Sequence, residues 1–324
     1  MHRLIEKKNI SDGRWSHDVL VSPNGETIAS WNASMDGLIR LWNAITGEHK
    51  PPIKVHKGPI NRVVFSIDSS TLVSWSYSRE DRTIRLWNVA TGKHTQTLTG
   101  HKSPIESVVF SPDGETLISG GQDGTILIWD VSTGKHKTLT GQTVDSERNT
   151  QSNSIMVLMF NSDGSKLATG DKKGNIRLWH VSTWKEEQTL EGHADAITSI
   201  NFSPDDHSIA STGRDGTVRL WDIDTGQQLQ SISGDKRVFW YVMFYPNGLP
   251  LATEVGGINS RYDNEIINLW DLRTGERIKT LAGHSRAITG VSFSPDGNTI
   301  ASFGIDDTVL LWDLTSIIRE LDTE

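Results

Sequence analysis

The stretch Gly100–Asp130, GHKSPIESVVFSPDGETLISGGQDGTILIWD, sets the pattern that the rest of the chain repeats. It opens with Gly-His, closes with Trp-Asp, and holds three short apolar runs: Val108 to Phe110, Leu117-Ile118, and Ile126 to Trp129. Turn signals separate them, first Ser111-Pro112-Asp113-Gly114, then Gln122-Asp123-Gly124, then Thr133-Gly134 just beyond the end. Each carries a glycine where a tight turn needs positive φ, and the first has a proline to preset its turn. Short β-rich runs punctuated in this way read as antiparallel strands joined by hairpins. One such unit cannot bury its own faces, so the number of copies decides the fold.

The closing tryptophan recurs at Trp42, Trp87, Trp129, Trp179, Trp221, Trp270 and Trp312. The intervals are 45, 42, 50, 42, 49 and 42 residues, a base period of 42 with three enlarged copies. With Gly-His in front and Trp-Asp behind, this repeat resembles the WD-repeat β-propellers, and its near-uniform copies resemble the bacterial members. The resemblance covers nearly the whole chain. It implies an all-β, seven-bladed β-propeller, four antiparallel strands (a to d) per blade, as one domain over residues 1–324. The family places one frame under many partners, so the resemblance is specific for fold and not for function.

Composition bounds the function classes. The 40 acidic and 32 basic residues leave a net charge of −8, which disfavours a general surface for nucleic acid or anionic membrane. There is no cysteine, hence no disulfide, thiol nucleophile or thiolate metal site. The N-terminus, MHRLIEKKNISDG, lacks the apolar run of a signal peptide, and no segment approaches a membrane span. A cytoplasmic, monomeric protein is the expectation.

Spacing between repeats is uneven in an informative way. The end of strand a to the strand-b Ser or Thr is nine residues in every copy, from Val21–Ser30 to Phe293–Ser302. The c–d connection is nearly as constant. Length changes fall in the d–a loop, where Gln142 to Phe160 takes 18 residues instead of nine. They also fall in the b–c loop, which lengthens after Ser30, Ser74 and Thr253. In an antiparallel blade those two loops share one end, so all insertions lie on one face, here called the upper face, where a partner is expected. The segment around 4–10 aligns with strand d and is expected to supply the outer strand of the seventh blade, leaving 314–324 as a tail. Ile317–Leu321 is the rival for that strand. Closure of this kind removes the exposed sheet edge.

Four polar positions also recur: His before strand a, Ser in strand b, Asp in the b–c turn and Trp in strand c. The sets are His56, Ser74, Asp81, Trp87; His101, Ser119, Asp123, Trp129; His193, Ser211, Asp215, Trp221; and His284, Ser302, Asp306, Trp312. Ser, His and Asp together suggest a hydrolase, but catalysis needs one site and four equivalent sets have no such use. In WD-repeat proteins these residues form a structural hydrogen-bond chain, and the resemblance implies that role here. Blade four departs with Gln142 and Lys173, blade six with Asp235 and Asn264, and blade one with Asp12. These departures suit an adaptable binding surface and equally the decay of those copies.

Five tryptophans lie outside the repeat position. Trp184 replaces the glycine of a c–d turn and so falls on the lower face. Trp31 and Trp75 directly follow the strand-b serine, as does Phe303, where the model repeat has Gly120. These three are either a cluster of anchors or fillers of the gaps between blades. Trp15 and Trp240 lie at the start of strand a, near the mouth of the channel that a propeller implies. The resemblance implies that this entrance position contacts peptide; Asn61, Glu106, Met156 and Thr198 share it with Trp240, and Arg214 stands beside it. No His spacing matches a metal site, no Asp-Gly turn matches a calcium loop, and no glycine-rich stretch matches a phosphate loop, so neither metal nor cofactor is expected.

These residues point to a non-catalytic scaffold that binds a protein or peptide on its upper face through aromatic and arginine anchors. One alternative is an enzyme working at the channel mouth or in the enlarged loops, with Asp145, Glu147 and Arg148 or Glu254, Arg261 and Asp263 as its groups. Another is an amplified or designed repeat with no specific ligand.

Overall fold

The computed structural model describes residues 18–31, 37–44, 46, 48, 50–76, 78–139, 154–233, 239–244, 251–255, 266–271, 274–286, 288–293, 299–304, 306 and 308–315. The elements among them are all strands. Blade one holds β1 (Asp18–Val21), β2 (Thr27–Trp31), β3 (Leu38–Asn43) and β4 (Ile53–Lys54). Blade two holds β5 (Ile60–Phe65), β6 (Thr71–Ser76), β7 (Thr83–Asn88) and β8 (His94–Thr99). Blade three holds β9 (Ile105–Phe110), β10 (Thr116–Gly121), β11 (Ile126–Asp130) and β12 (His136–Thr138). Blade four holds β13 (Ile155–Phe160), β14 (Lys166–Asp171), β15 (Ile176–His180) and β16 (Lys185–Leu190). Blade five holds β17 (Ile197–Phe202), β18 (Ser208–Gly213), β19 (Thr217–Asp222) and β20 (Gln228–Ser233). Blade six holds β21 (Phe239–Phe244), β22 (Leu251–Val255), β23 (Ile266–Trp270) and β24 (Arg277–Ala282). Blade seven holds β25 (Ile288–Phe293), β26 (Thr299–Gly304) and β27 (Val309–Asp313).

The first six sheets have four strands and the last has three described strands, each ordered in space as in the chain. The segment 4–10 and the tail beyond Thr315 lie outside the described residues, as does Trp15.

The turns explain why the strands stop where they do. In the a–b turn of blade three the Ser111 hydroxyl accepts from the Thr116 amide at 3.0 Å and donates to Asp113 Oδ1 at 2.5 Å. Asp113 in turn accepts from the Glu115 amide at 2.9 Å. Ser66–Asp68 and Ser203–Asp205 repeat the arrangement. At the other end, Asp130 Oδ1 accepts from Ser132 and from the Thr133 amide, and the Gly134 amide closes the turn on the Asp130 carbonyl at 2.8 Å. Local side-chain bonds of this kind satisfy the backbone without a ladder partner, so they terminate strands.

The described residues divide into two compact units at the step from Ile197 to Thr198. In the first, β5 lies beside β1 and β9, and β9 lies beside β13, so strand a of one blade neighbours strand a of the next. In the second, β21 lies against β18 and β25 against β22. The cores sit between blades. Trp31, Ile39 and Leu41 of blade one pack with Ile60, Phe65 and Trp87 of blade two. Trp75 and Ile84 of blade two pack with Ile105, Phe110 and Trp129 of blade three, and Ile126 and Ile128 of blade three with Ile155, Leu158 and Trp179 of blade four. In the second unit Val218 of blade five meets Phe244 of blade six, and Leu269 of blade six meets Trp312 of blade seven. Each large apolar side chain buried this way contributes about 1.5–3 kcal/mol.

Gly120 marks how tight these seams are. A Cβ there would stand 2.5 Å from Cγ2 and 2.8 Å from Cβ of Ile155, a fully buried side chain of the next blade. Gly120→Ala is therefore expected to cost about 1–3 kcal/mol in chemical denaturation. Gly114→Asn, at a turn with φ of 74° and nothing within 4 Å of its Cβ position, should cost less than about 1 kcal/mol.

Candidate functional site

In blades two and seven the four polar side chains form one directed chain. In blade two Trp87 Nε1 donates to Ser74 Oγ at 3.0 Å, Ser74 Oγ meets His56 Nε2 at 3.0 Å, and His56 Nδ1 meets Asp81 Oδ2 at 2.8 Å. An ionised carboxylate only accepts, which assigns the imidazole proton to Nδ1 and leaves Nε2 to accept from the serine. Burial pulls the Asp81 carboxyl upward, but the bonds from His56 and Thr83 outweigh it and hold the group well below the usual carboxylate range. Blade seven repeats this with Trp312 to Ser302 at 2.8 Å, Ser302 to His284 at 2.7 Å and His284 to Asp306 at 3.1 Å. There burial raises Asp306, while bonds from Thr308, Ser285 and His284 bring it to about 2.

Blade three differs in one link. Trp129 reaches Ser119 at 2.7 Å and His101 Nε2 lies 2.6 Å from Ser119. His101 Nδ1, however, meets Thr125 Oγ1 at 3.3 Å, and it is Thr125 that bonds Asp123 Oδ1 at 2.6 Å. Burial pushes the His101 imidazole down to about 4, against the pull of Asp123. In blade five Trp221 donates to Ser211 at 2.8 Å and Thr217 to Asp215 at 2.8 Å, and His193 is buried. Ser74, Ser119, Ser211 and Ser302 have no accessible surface, so none can reach a substrate as a nucleophile.

The entrance position has a different geometry. In β5 the register jumps from Ile60 to Arg62, skipping Asn61. The same step skips Glu106 in β9, Met156 in β13 and Thr289 in β25, and in β21 it skips Trp240 and Tyr241. A bulge interrupts the ladder, here at the same step of five strands a. In the first unit these strands are neighbours, which groups Asn61, Glu106 and Met156. Asn61 is buried and its amide donates to the Ile105 carbonyl at 3.0 Å, tying the two strands together. Glu106 is half-buried and accepts from Gln122 Nε2 at 2.7 Å. In the second unit Thr198 meets Thr212 at 2.9 Å and Arg214 is exposed.

The family model described as WD domain, G-beta repeat matches residues 12–43, 48–88, 92–130, 142–180, 184–222 and 275–313. The chain belongs to the WD-repeat family. No curated protein matches it. The stretch between the last two matches holds strands a to c of blade six, which departs at Asp235 and Asn264 and carries the longest b–c connection, yet the four strands of that blade pair as in the other WD repeats. No helix among the described residues is long and apolar enough to cross a membrane.

Two expected anchors are core residues instead. Trp31 and Trp75 are 4% and 2% exposed, and they fill the seams on either side of blade two. The physical reason is that the residue after the strand-b serine faces the next blade, as Gly120 does. Trp75 Nε1 is buried without a partner. Phe303 lies in β26 and Trp240 in β21, with their side chains outside the described residues. Asp145, Glu147, Arg148, Arg261 and Asp263 are outside them too, as is the Glu254 side chain.

Blade four carries a substitution that spacing alone does not reveal. Asp171, 4% exposed, stands where blade three has Gly121, two residues before the Lys173 that replaces the turn aspartate. Its Oδ1 accepts from the Lys173 and Asn175 amides, both at 2.9 Å, and Oδ2 accepts from Asn175 Nδ2 at 3.1 Å. It caps the amide that Asp123 caps in blade three, at Thr125. An aspartate would crowd the histidine in the geometry of blade three, where a Cβ on Gly121 would lie 3.0 Å from His101 Nδ1 and 2.9 Å from Asp123 Oδ1. Beside its own histidine blade two seats only the smaller Ser76. The paired signal is an aspartate gained at the glycine position and one lost two residues later.

Asp171→Ala should therefore cost about 1–3 kcal/mol by leaving buried donors unpaired. Adding Lys173→Asp to Asp171→Gly should recover most of that loss in urea denaturation. A second expectation concerns pH. Folded His101 stays neutral down to about pH 4, whereas an unfolded histidine takes its proton near 6.5. The unfolded chain thus binds more protons between those values, and stability falls as pH drops through that window, by about 3 kcal/mol. The urea midpoint measured across that window should fall less steeply in His101→Gln than in wild type.

Proposed function

We propose that this WD-repeat protein is a non-catalytic scaffold that binds a protein or peptide on its upper face. The observation that supports this most is the recurrent bulge. Five strands a interrupt their ladder at one step, and the residues released there are as different as Asn61, Glu106, Met156, Trp240 and Thr289. A core position repeated in one frame converges on a few apolar types, as Phe65, Phe110, Phe160 and Phe202 do at the end of the same strands. A position that keeps its geometry and varies its chemistry suits recognition of one specific surface. In the second unit Arg214 and Trp240 supply the residue types that dominate interface energetics, and in the first Glu106 is an acidic element. The preformed sheets lose little ordering entropy on binding. Buried, fully bonded serines favour a scaffold over a hydrolase.

The test is affinity capture with wild type and an Arg214→Ala, Trp240→Ala double variant, followed by measurement of each captured partner on the purified pair. The variant should keep the far-ultraviolet circular dichroism and the urea midpoint of the fold and lose about tenfold or more in affinity. A partner bound equally by both would remove the upper face from the reading.

A further inference from the structure

Away from the upper face, a cleft of about 300 Å³ opens between blades three and four. Thr116 pairs with Asp130 and Ile128 with Lys137 across their strands, so these four side chains share one face of the blade-three sheet. Trp184 of the blade-four c–d turn forms the other wall. That turn is unusual. Gly92, Gly134, Gly226 and Gly275 hold the equivalent position with φ of 67°, 68°, 71° and 72°, while Trp184 holds it at 53°. The Trp184 amide still closes the turn on the His180 carbonyl at 2.7 Å, as glycine does elsewhere. A bulky residue with positive φ is a rare outlier, and such strain concentrates at functional sites. Its indole is half-buried against the Ile128 cluster and open to the cleft.

We propose that this cleft is a second binding site, for an acidic peptide segment carrying one large apolar side chain. The apolar group would pack between Trp184 and Ile128, and its flanking carboxylates would pair with Lys135 and Lys137. Charge decides the class of partner. Lys137 Nζ lies 5.5 Å from the Trp184 ring centre, and Lys135 stands beside it at the rim. Neither ammonium has a carboxylate within ion-pair reach among the described residues. The one acidic lining group, Asp130, is engaged by the Ser132 hydroxyl, the Thr133 amide and the Thr133 hydroxyl at 2.7, 2.7 and 2.9 Å. The cleft therefore presents an apolar floor under two unneutralised cations in a chain whose net charge is −8. Asp130 keeps its charge and its Oδ2, so the lining sets two cations against one anion, a balance that favours an acidic segment over a cationic one. The apolar floor offers nothing to a bare polyanion.

The probe is a fluorescein-labelled peptide with one phenylalanine between two pairs of aspartates, followed by anisotropy at low ionic strength. Wild type should bind it, and should bind at least about tenfold more weakly to the same peptide with alanine for phenylalanine or lysines for aspartates. Lys135→Glu with Lys137→Glu, two exposed substitutions that leave packing intact, should weaken binding by a similar factor. Trp184→Gly, which suits the turn's φ, should do the same. The Arg214→Ala, Trp240→Ala variant should bind as wild type does, which separates this site from the upper face. Three outcomes would overturn the proposal: no binding by wild type, equal binding of the alanine peptide, or unchanged binding by the lysine variant.

Discussion

The bond on which the blades depend runs from the tryptophan indole of strand c to the hydroxyl of strand b. It is present at Trp42–Ser30, Trp87–Ser74, Trp129–Ser119, Trp179–Thr169, Trp221–Ser211 and Trp312–Ser302. Both groups are buried, and either one left unpaired would cost about 1–3 kcal/mol. A hydroxyl and an indole can satisfy each other only at one register of the b–c pair, so the bond fixes which face of each strand meets the neighbouring blade. The bond persists at Ser30 and Thr169, in the two blades whose histidine position holds Asp12 or Gln142. The indole–hydroxyl pair is thus the frame, and the histidine and aspartate are an extension that ties the loops of the upper face to it.

That extension imposes its own constraint, which explains the glycine beside it. Imidazole, carboxylate and strand-b backbone converge so closely at Gly121 and Gly304 that a Cβ would stand within 2.5–3.0 Å of the histidine ring. Blades three and seven hold the histidine beside a glycine, blade two seats the small Ser76 beside His56 with its hydroxyl donating to the Pro59 carbonyl at 2.7 Å, and blade four gives up the histidine. Blade four places Asp171 there, which restores the turn's hydrogen bonds from a different backbone position. Its loss of the repeat residues is a rebuilt network rather than an empty one.

The strands and turns were legible in the sequence because they are local. A turn needs its Ser-x-Asp and Gly within a few residues, and a strand needs only its alternation. This is why blade six could be read from spacing although the family model passes over its first three strands. The identity of what crosses a seam was not legible. Trp31 and Trp75 could be placed on strand b directly after the serine, yet whether that position faces solvent depends on Ile60 and Ile105 of the following blades, which lie far along the chain. The bulges that skip Asn61, Glu106 and Met156 are likewise invisible as sequence, because a bulge is a mismatch between two strands and not a property of either. What the spacing did supply was their equivalence.

Trp184 shows how the two kinds of information combine. Its place in a glycine turn was readable, and that alone argues for a cost of about 1–2 kcal/mol in a left-handed conformation. The packing of part of its indole on the Ile128 cluster offsets a comparable amount, since burying a large apolar side chain in full contributes about 1.5–3 kcal/mol. The two terms nearly cancel, so folding stability gives little reason for tryptophan over the glycine used in the neighbouring turns. What tryptophan adds is the exposed remainder of the ring beside Lys137 at the mouth of a cleft. A residue whose gain and cost in folding balance, and whose open face borders two unneutralised cations, is best accounted for by what that face can hold.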